Sequence, residues 1–139
     1  FEEQWYDLPV SGMDTTALTA WQDIRNVRAL VNKKLEEQRA AGAIGSALQA
    51  EVDVFAGKNT FELLSRLAND LRFVFITSRA NVHLREGSGL GIEVKPSAHA
   101  KCDRCWHNRE EGGSDAAHPT LCGRCVSNLH GSGEVRRYA

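Results

Sequence analysis

Four cysteines near the end of this chain are spaced Cys-x2-Cys-x16-Cys-x2-Cys, and no other feature constrains its folding as strongly. They are Cys102, Cys105, Cys122 and Cys125. Two residues between paired cysteines let both sulfur atoms turn toward one metal ion, and two such pairs supply the four ligands of a tetrahedron. Because four thiolates leave no position for water, the spacing predicts one zinc ion with a structural and not a catalytic role.

An even number of cysteines also allows two disulfide bonds. However, a chain of 139 residues with 42% hydrophobic residues is large enough to build a core without covalent crosslinks, and no apolar secretory leader is visible before the cysteines. The zinc interpretation is therefore favoured. His107 and His118 lie between the two pairs, where a single histidine is usually a solvated polar residue, and we expect neither to bind the metal.

The charge balance gives a further constraint. The chain has 17 basic and 18 acidic residues, which is not the balance of a protein wrapped in nucleic acid. From residue 101 onward, however, every basic residue but one is arginine, the side chain best suited to phosphates and base edges. Nucleic-acid contact is therefore permitted at this end. No run approaches the roughly 18 apolar residues that span a bilayer, so no membrane association is expected.

Hydrophobic periodicity predicts a small α+β layer before the cysteines, two helices packed on a short sheet in the order α-β-α-β-β. A helix is expected over 15–41, a strand over 46–55, a second helix over 60–71, β-structure over 73–84 and a short strand over 90–95. The apolar stripe of the first helix is expected in the core. It comprises Leu18, Trp21, Ile24, Val27, Val31 and Leu35.

Small residues at 96–100 indicate a linker, so two domains are expected. Residues 1–95 would form the α+β domain, and residues 96–139 the four-cysteine zinc-binding module with its tail. The chain begins with Phe1 and has its only methionine at Met13, which favours a fragment of a longer protein.

Around the cysteines stand Lys101-Cys102, Arg104-Cys105-Trp106 and Cys122-Gly123-Arg124-Cys125, and the chain ends Gly133-Glu134 to Tyr138-Ala139. At these residues the sequence resembles the C-terminal zinc module of bacterial isoleucyl-tRNA synthetases. The resemblance extends upstream, through Val27-Arg28, Gly45-Ser46-Ala47-Leu48 and Asp70-Leu71-Arg72-Phe73-Val74, and covers nearly the whole chain.

This resemblance implies an ATP-dependent cytoplasmic ligase that charges tRNA(Ile) with isoleucine. The two signatures that hold ATP in this class, His-Ile-Gly-His and Lys-Met-Ser-Lys-Ser, have no counterpart here, so ATP would bind only in an absent catalytic domain and the fragment alone should not be an enzyme. The implied partners are the remainder of the synthetase chain and the anticodon end of tRNA(Ile). A monomer is expected.

Six residues are candidates for the tRNA contact that the resemblance implies: Trp106, Arg104, Arg124, Arg136, Arg137 and Tyr138. Trp106 follows a zinc ligand directly, so its ring should be held rigidly for stacking on an unpaired base. Arg104 and Arg124 occupy the same position within the two cysteine pairs and should project from one surface. The alternatives are a tryptophan that only covers the metal, arginines that are solvated or bonded within the module, and a disordered tail.

Two other protein classes remain open. Similar four-cysteine modules end the formamidopyrimidine-type DNA glycosylases, but those enzymes need an N-terminal proline nucleophile, and residue 1 here is Phe1. A free-standing zinc-ribbon adaptor that binds other proteins is the third possibility.

Overall fold

The structure is a computed structural model that describes residue 12, residues 15–87 and residues 89–134. Its first part contains helices α1 (Thr15–Ala40), α2 (Lys58–Ser65) and α3 (Leu71–Phe75), with strands β1 (Ala50–Ala56), β2 (Arg79–Leu84) and β3 (Gly91–Pro96). Two short strands, β4 (Ala100–Lys101) and β5 (Asn108–Arg109), and helix α4 (Gly123–His130) follow. No helix in the described ranges is long and apolar enough to cross a membrane.

The three longer strands form a mixed sheet with β1 at its centre. β1 runs parallel to β2 and antiparallel to β3, so that Val54 faces Val82 on one side and Ile92 on the other. The helices α1, α2 and α3 all pack against this sheet or against one another. The predicted α+β class is confirmed, and the predicted strand over 90–95 corresponds to β3.

One apolar cluster holds the layer together. From α1 it takes Ile24, Val27, Val31 and Leu35, which are spaced three and four residues apart and so lie on one helical face. The expectation that Leu18 and Trp21 belong to the same core is wrong, because they are 47% and 42% exposed. The first buried residue of α1 is Ile24, so the beginning of the helix extends beyond the packed core.

The strand predicted over 73–84 begins only at Arg79. Its first residues instead form α3, which places Leu71 and Phe75 in the core one helical turn apart. The helix ends at Ile76, whose backbone is left-handed with φ 58°. Packing against the core thus overrides the β-propensity of these residues. The strand predicted over 46–55 corresponds to β1, which begins later because a 3-10 turn (Ala47–Gln49) precedes it. The helix predicted over 60–71 corresponds to α2, which ends at Ser65.

The layer and the cysteine region meet at Ser78, which is fully buried. The Ser78 hydroxyl accepts a hydrogen bond from the backbone N–H of Asn108 at 2.6 Å, and the guanidinium of Arg109 donates to the Ser78 carbonyl at 3.2 Å. Phe73 on α3 contacts the ring of His107, with ring centres 5.9 Å apart. The division into domains 1–95 and 96–139 stays a prediction, and these contacts connect its two sides.

Candidate metal centre

The first pair of cysteines lies in a tight turn between β4 and β5. The backbone N–H of Cys102 donates to the carbonyl of His107, and the N–H of Trp106 donates back to the carbonyl of Cys102, each at 2.9 Å. The ladder between β4 and β5 pairs Lys101 with Asn108 beside this turn. The turn is therefore closed by backbone hydrogen bonds at both of its ends, which fixes the direction of the two sulfur atoms.

The second pair begins helix α4. Cys122 is its N-cap residue and Cys125 lies in its first turn, so both side chains point from the same end of the helix. The backbone N–H of Cys122 donates to Cys102 Sγ at 3.3 Å, which connects the two pairs. Sequence periodicity did not reveal α4, because only eight residues separate Cys122 from the glycine at its end.

All four sulfur atoms lie within 4.8 Å of one another, and the four cysteines are free thiols. A tetrahedral zinc ion with bonds of about 2.3 Å requires sulfur atoms separated by about 3.8 Å. The distance between Cys105 Sγ and Cys122 Sγ is 3.7 Å, which fits zinc and is far longer than a disulfide bond of about 2.05 Å. Among the described residues, this group contains no histidine. The donor set therefore fits one structural zinc ion.

The electrostatics of the site also call for a cation. Burial raises the pKa of Cys102, but three neighbouring backbone N–H groups outweigh burial and lower that pKa to about 6. Burial, followed by repulsion from neighbouring sulfur atoms, raises the pKa of Cys122 to about 12, and burial likewise raises the pKa of Cys105. One thiolate thus forms readily while its neighbours resist ionisation. A divalent cation is what permits four thiolates in so small a volume.

Trp106 is held at the surface beside the metal site. Its side chain is 60% exposed, and its backbone is left-handed with φ 65°, a conformation that a bulky residue adopts only when its surroundings impose it. The ammonium group of Lys101 lies 5.3 Å from the centre of its ring. Whether this ring contacts tRNA or only covers the metal site stays a prediction.

The two arginines of the cysteine pairs lie in different environments. Arg104 is exposed, and its guanidinium donates to Cys125 Sγ at 3.7 Å. Arg124 is partly buried, donates to both carboxylate oxygens of Glu134 at 2.7 and 2.8 Å, and lies 5.1 Å from the ring centre of Phe73. That both arginines bind tRNA stays a prediction. Arg124 also connects α4 to α3 through its contact with Phe73.

The remaining predicted contacts, Arg136, Arg137 and Tyr138, lie outside the described residues.

The two histidines between the cysteine pairs have other contacts. His107 is half-buried and shares a hydrogen bond of 3.1 Å between its Nδ1 and the carbonyl of Cys105, while His118 stacks on His130 with ring centres 4.1 Å apart. Burial is the main cause that lowers the pKa of His107, and the charges of Arg72, Arg124 and Arg109 lower it further.

Comparison with known proteins agrees with this geometry. A family model described as the zinc finger found in FPG and IleRS matches residues 101–128. An isoleucine–tRNA ligase from Bordetella petrii is 55% identical over 137 residues, which are 98% of this chain and 14% of that protein. The isoleucine–tRNA ligase of Ralstonia pickettii is 51% identical over 140 residues, covering 100% of this chain and 15% of that protein.

Site and family model together define a four-cysteine zinc finger of the kind found in FPG and IleRS. The similarity continues through the α+β layer, which favours a ligase over the glycosylase alternative. The chain belongs to the isoleucine–tRNA ligase family and represents its C-terminal zinc region, spanning about 14% of the length of the relatives it matches.

Proposed function

We propose that this segment contacts the anticodon end of tRNA(Ile) within an ATP-dependent isoleucine–tRNA ligase. Aminoacylation would be performed by a catalytic domain elsewhere in the parent chain, which would also hold ATP and isoleucine. The segment alone would bind and position RNA without catalysing a reaction. Relatives that are isoleucine–tRNA ligases by name, at 54–55% identity over this chain, support the parent activity. A cytoplasmic, monomeric enzyme is part of the same proposal.

The observation that carries this proposal is the exposed ring of Trp106. A large aromatic side chain that is 60% exposed buries little apolar area in the protein, so packing alone does not explain its position. The hydrogen bond to Cys102 and the left-handed backbone hold it beside the metal. An aromatic ring presented in this way stacks on an unpaired base, and anticodon bases are unpaired.

Cations next to Trp106 suit the negative backbone of the same RNA. Lys101 lies near the ring and Arg104 is exposed within the adjacent turn, so phosphates on either side of a stacked base would find a positive charge within reach. Arg124 is a weaker candidate, because a phosphate can bind its guanidinium only by displacing the carboxylate of Glu134. Zinc, when bound, would hold the two turns that carry these side chains and take no part in chemistry.

The deciding experiment replaces Trp106 in the full-length ligase. Trp106→Ala should lower kcat/KM for tRNA by the equivalent of about 1–3 kcal/mol, the contribution of one stacked base, and leave isoleucine-dependent pyrophosphate exchange unchanged. Trp21→Ala is the matched control, since Trp21 is an exposed tryptophan of α1, outside the zinc module. Both variants must retain one zinc per chain.

If Trp106→Ala keeps its zinc and charges tRNA as well as the wild-type enzyme, the proposed stacking contact is wrong and the recognition surface lies elsewhere.

A further inference from the structure

A polar cavity of about 220 Å³ lies between β2, α3 and the zinc module, and we call it the junction cavity. Three arginines line it, Arg72, Arg79 and Arg109. Arg72 belongs to the sequence Asp-Leu-Arg-Phe-Val, which is part of the family resemblance. The tRNA contact proposed for Trp106 does not involve Arg72. Residues of the layer and of the zinc module both contribute to the walls of this cavity.

Arg72 has an unusual environment. Its guanidinium is half-buried and lies 4.6 Å from the ring centre of Phe73, yet among the described residues it makes no hydrogen bond or ion pair. Burial lowers the pKa of Arg72, and the nearby charges of Arg109 and Arg124 lower it further, against the opposing effect of Glu134 and Glu111. Its donors are therefore available, and an anion bound to them would offset the repulsion from Arg109 and Arg124.

Three carboxylates also line the cavity, but none of them pairs with Arg72 or Arg79 among the described residues. Glu51 accepts a hydrogen bond from Ser97 at 2.7 Å, and Glu111 accepts one from Arg109 at 2.8 Å. The exposed Glu110 is the remaining acidic residue of the lining. Arg79 donates only weakly, to Asn81 at 3.4 Å, so neither Arg72 nor Arg79 has a carboxylate partner among the described residues.

A second atom of the lining lacks a partner. Asn108 Oδ1 is buried and accepts no hydrogen bond from the described residues, while its Nδ2 donates to the carbonyl of His99 at 2.8 Å. That bond fixes the orientation of the amide, so the unsatisfied atom is an acceptor. A hydroxyl group would satisfy it, and RNA carries a 2′-hydroxyl beside each phosphate.

We propose that the junction cavity is a second RNA contact, in which Arg72 and Arg79 bind one phosphodiester group of the tRNA backbone. This inference rests on the proposed function, since it takes tRNA as the ligand, but it uses a different surface from Trp106. Planar guanidinium groups donate two parallel hydrogen bonds to phosphate oxygens, and Arg72 has the donors free to do so. The ligand chemistry, a phosphate oxyanion, is shared with free inorganic phosphate.

The test measures tRNA affinity of the full-length ligase at several salt concentrations. Arg72→Gln and Arg79→Gln should each weaken binding about tenfold, as expected for loss of a charged hydrogen bond. Each should also lower the slope of log affinity against log salt by about 0.7 to 0.9, the value for one phosphate contact. Arg25→Gln, at an exposed arginine of α1 outside the cavity, is the matched control and should change neither quantity.

Two further measurements keep the outcomes distinct. Zinc content and melting temperature identify a variant that has lost its fold; should Arg72→Gln fail there, the exposed Arg79 carries the test. Inorganic phosphate should compete with tRNA for the wild-type protein more strongly than chloride at equal ionic strength. If both folded variants bind tRNA like the wild type, the proposal is overturned, even where phosphate still competes, because the cavity then takes free phosphate only.

Failure of this inference can be separated from failure of the proposed function. If Trp106→Ala weakens tRNA use while Arg72→Gln and Arg79→Gln do not, only the junction cavity is wrong. If the arginine variants weaken binding and Trp106→Ala does not, the RNA contact is at the cavity and the stacking surface is wrong.

Discussion

The α+β layer and the zinc module of this segment are stabilised by different means. Among the described residues, the layer buries thirteen apolar side chains in one cluster, drawn from α1, the strand β1, the loop between them and the segment between β1 and β2. The corresponding cluster of the zinc module in the same described ranges consists of Cys102, Cys122 and Cys125, with Cys105 and Leu121 packed against them. Burial of apolar area therefore stabilises the first region, whereas the second depends on a metal ion that brings four sulfur atoms together.

This difference has a consequence for function. A domain that folds by burying its large apolar side chains has few of them left for a partner. Because a metal supplies the organising free energy in the zinc module, Trp106 can stay 60% exposed beside a fixed point of the backbone. Under the proposed function, the layer supplies most of the apolar core and the zinc module presents the binding surface.

Removal of a zinc ligand should give the largest effect. Cys122→Ser should abolish metal binding and unfold residues 102–130, because structural zinc contributes on the order of 10–16 kcal/mol of apparent binding energy near neutral pH. Elemental analysis of reduced protein should find one zinc per chain in the wild type and none in the variant. A variant that keeps stoichiometric zinc would show that Cys122 is not a ligand.

A substitution in the core of the layer should lower stability without releasing zinc. Leu64 is fully buried in the layer, so Leu64→Ala should lower the free energy of unfolding by about 2–5 kcal/mol, as measured by denaturant titration, while the zinc content stays at one per chain. Leu84→Ala is the control, because Leu84 is 59% exposed and its truncation should change stability by no more than about 0.5 kcal/mol. Equal effects of the two substitutions would contradict the assigned core.

The contact between the α+β layer and the zinc module should contribute less to the free energy of unfolding. Arg124 and Glu134 form an ion pair whose side chains are only 17% and 20% exposed, and Arg124 also lies over Phe73 of α3. Glu134→Gln should cost about 1–2 kcal/mol, since a charged hydrogen bond is replaced by a weaker one. A double-mutant cycle with Phe73→Leu measures whether α3 shares in that energy. Additive losses would show that the ion pair acts within the zinc module alone.

The smallest effect on stability is expected from the protonation of one carboxyl group, that of Asp53, in acid. Burial raises the pKa of Asp53, but hydrogen bonds from His83 and Asn81 and the charge of Lys95 lower it below its usual value. A carboxyl group whose pKa is lower in the folded state stabilises above its unfolded pKa of about 3.9, and that contribution is lost as the pH falls through the folded pKa. Asp53→Asn should therefore remove about 1 kcal/mol or less at pH 7.

The loss caused by Asp53→Asn should shrink toward zero as the pH falls through the folded pKa of Asp53, because the wild-type carboxyl is then protonated as well. Thermal unfolding of both proteins across this range gives the difference directly. A difference that grows in acid would mean that Asp53 is not stabilising as the carboxylate.

Much of the fold and the metal site could be predicted from local patterns. The spacing of Cys102 to Cys125 predicted the sulfur cluster, and the periodicity from Ile24 to Leu35 predicted the buried face of α1. Phe73 and Phe75 were assigned to a strand because β-propensity ignores the core against which α3 packs. The guanidinium of Arg72, unpaired among the described residues, could not be anticipated, because its surroundings depend on contacts between residues far apart in the sequence.

Hydrogen exchange at the backbone N–H of Trp106 tests most directly whether the metal organises the recognition surface. This N–H donates to the carbonyl of Cys102 in the tight turn, whereas the N–H of Val54 belongs to the central strand of the layer. After removal of zinc by a chelator under reducing conditions, Trp106 should lose its protection while Val54 keeps most of its own. If Trp106 stays protected without zinc, or if both residues lose protection together, the two regions are not stabilised separately and the account is wrong.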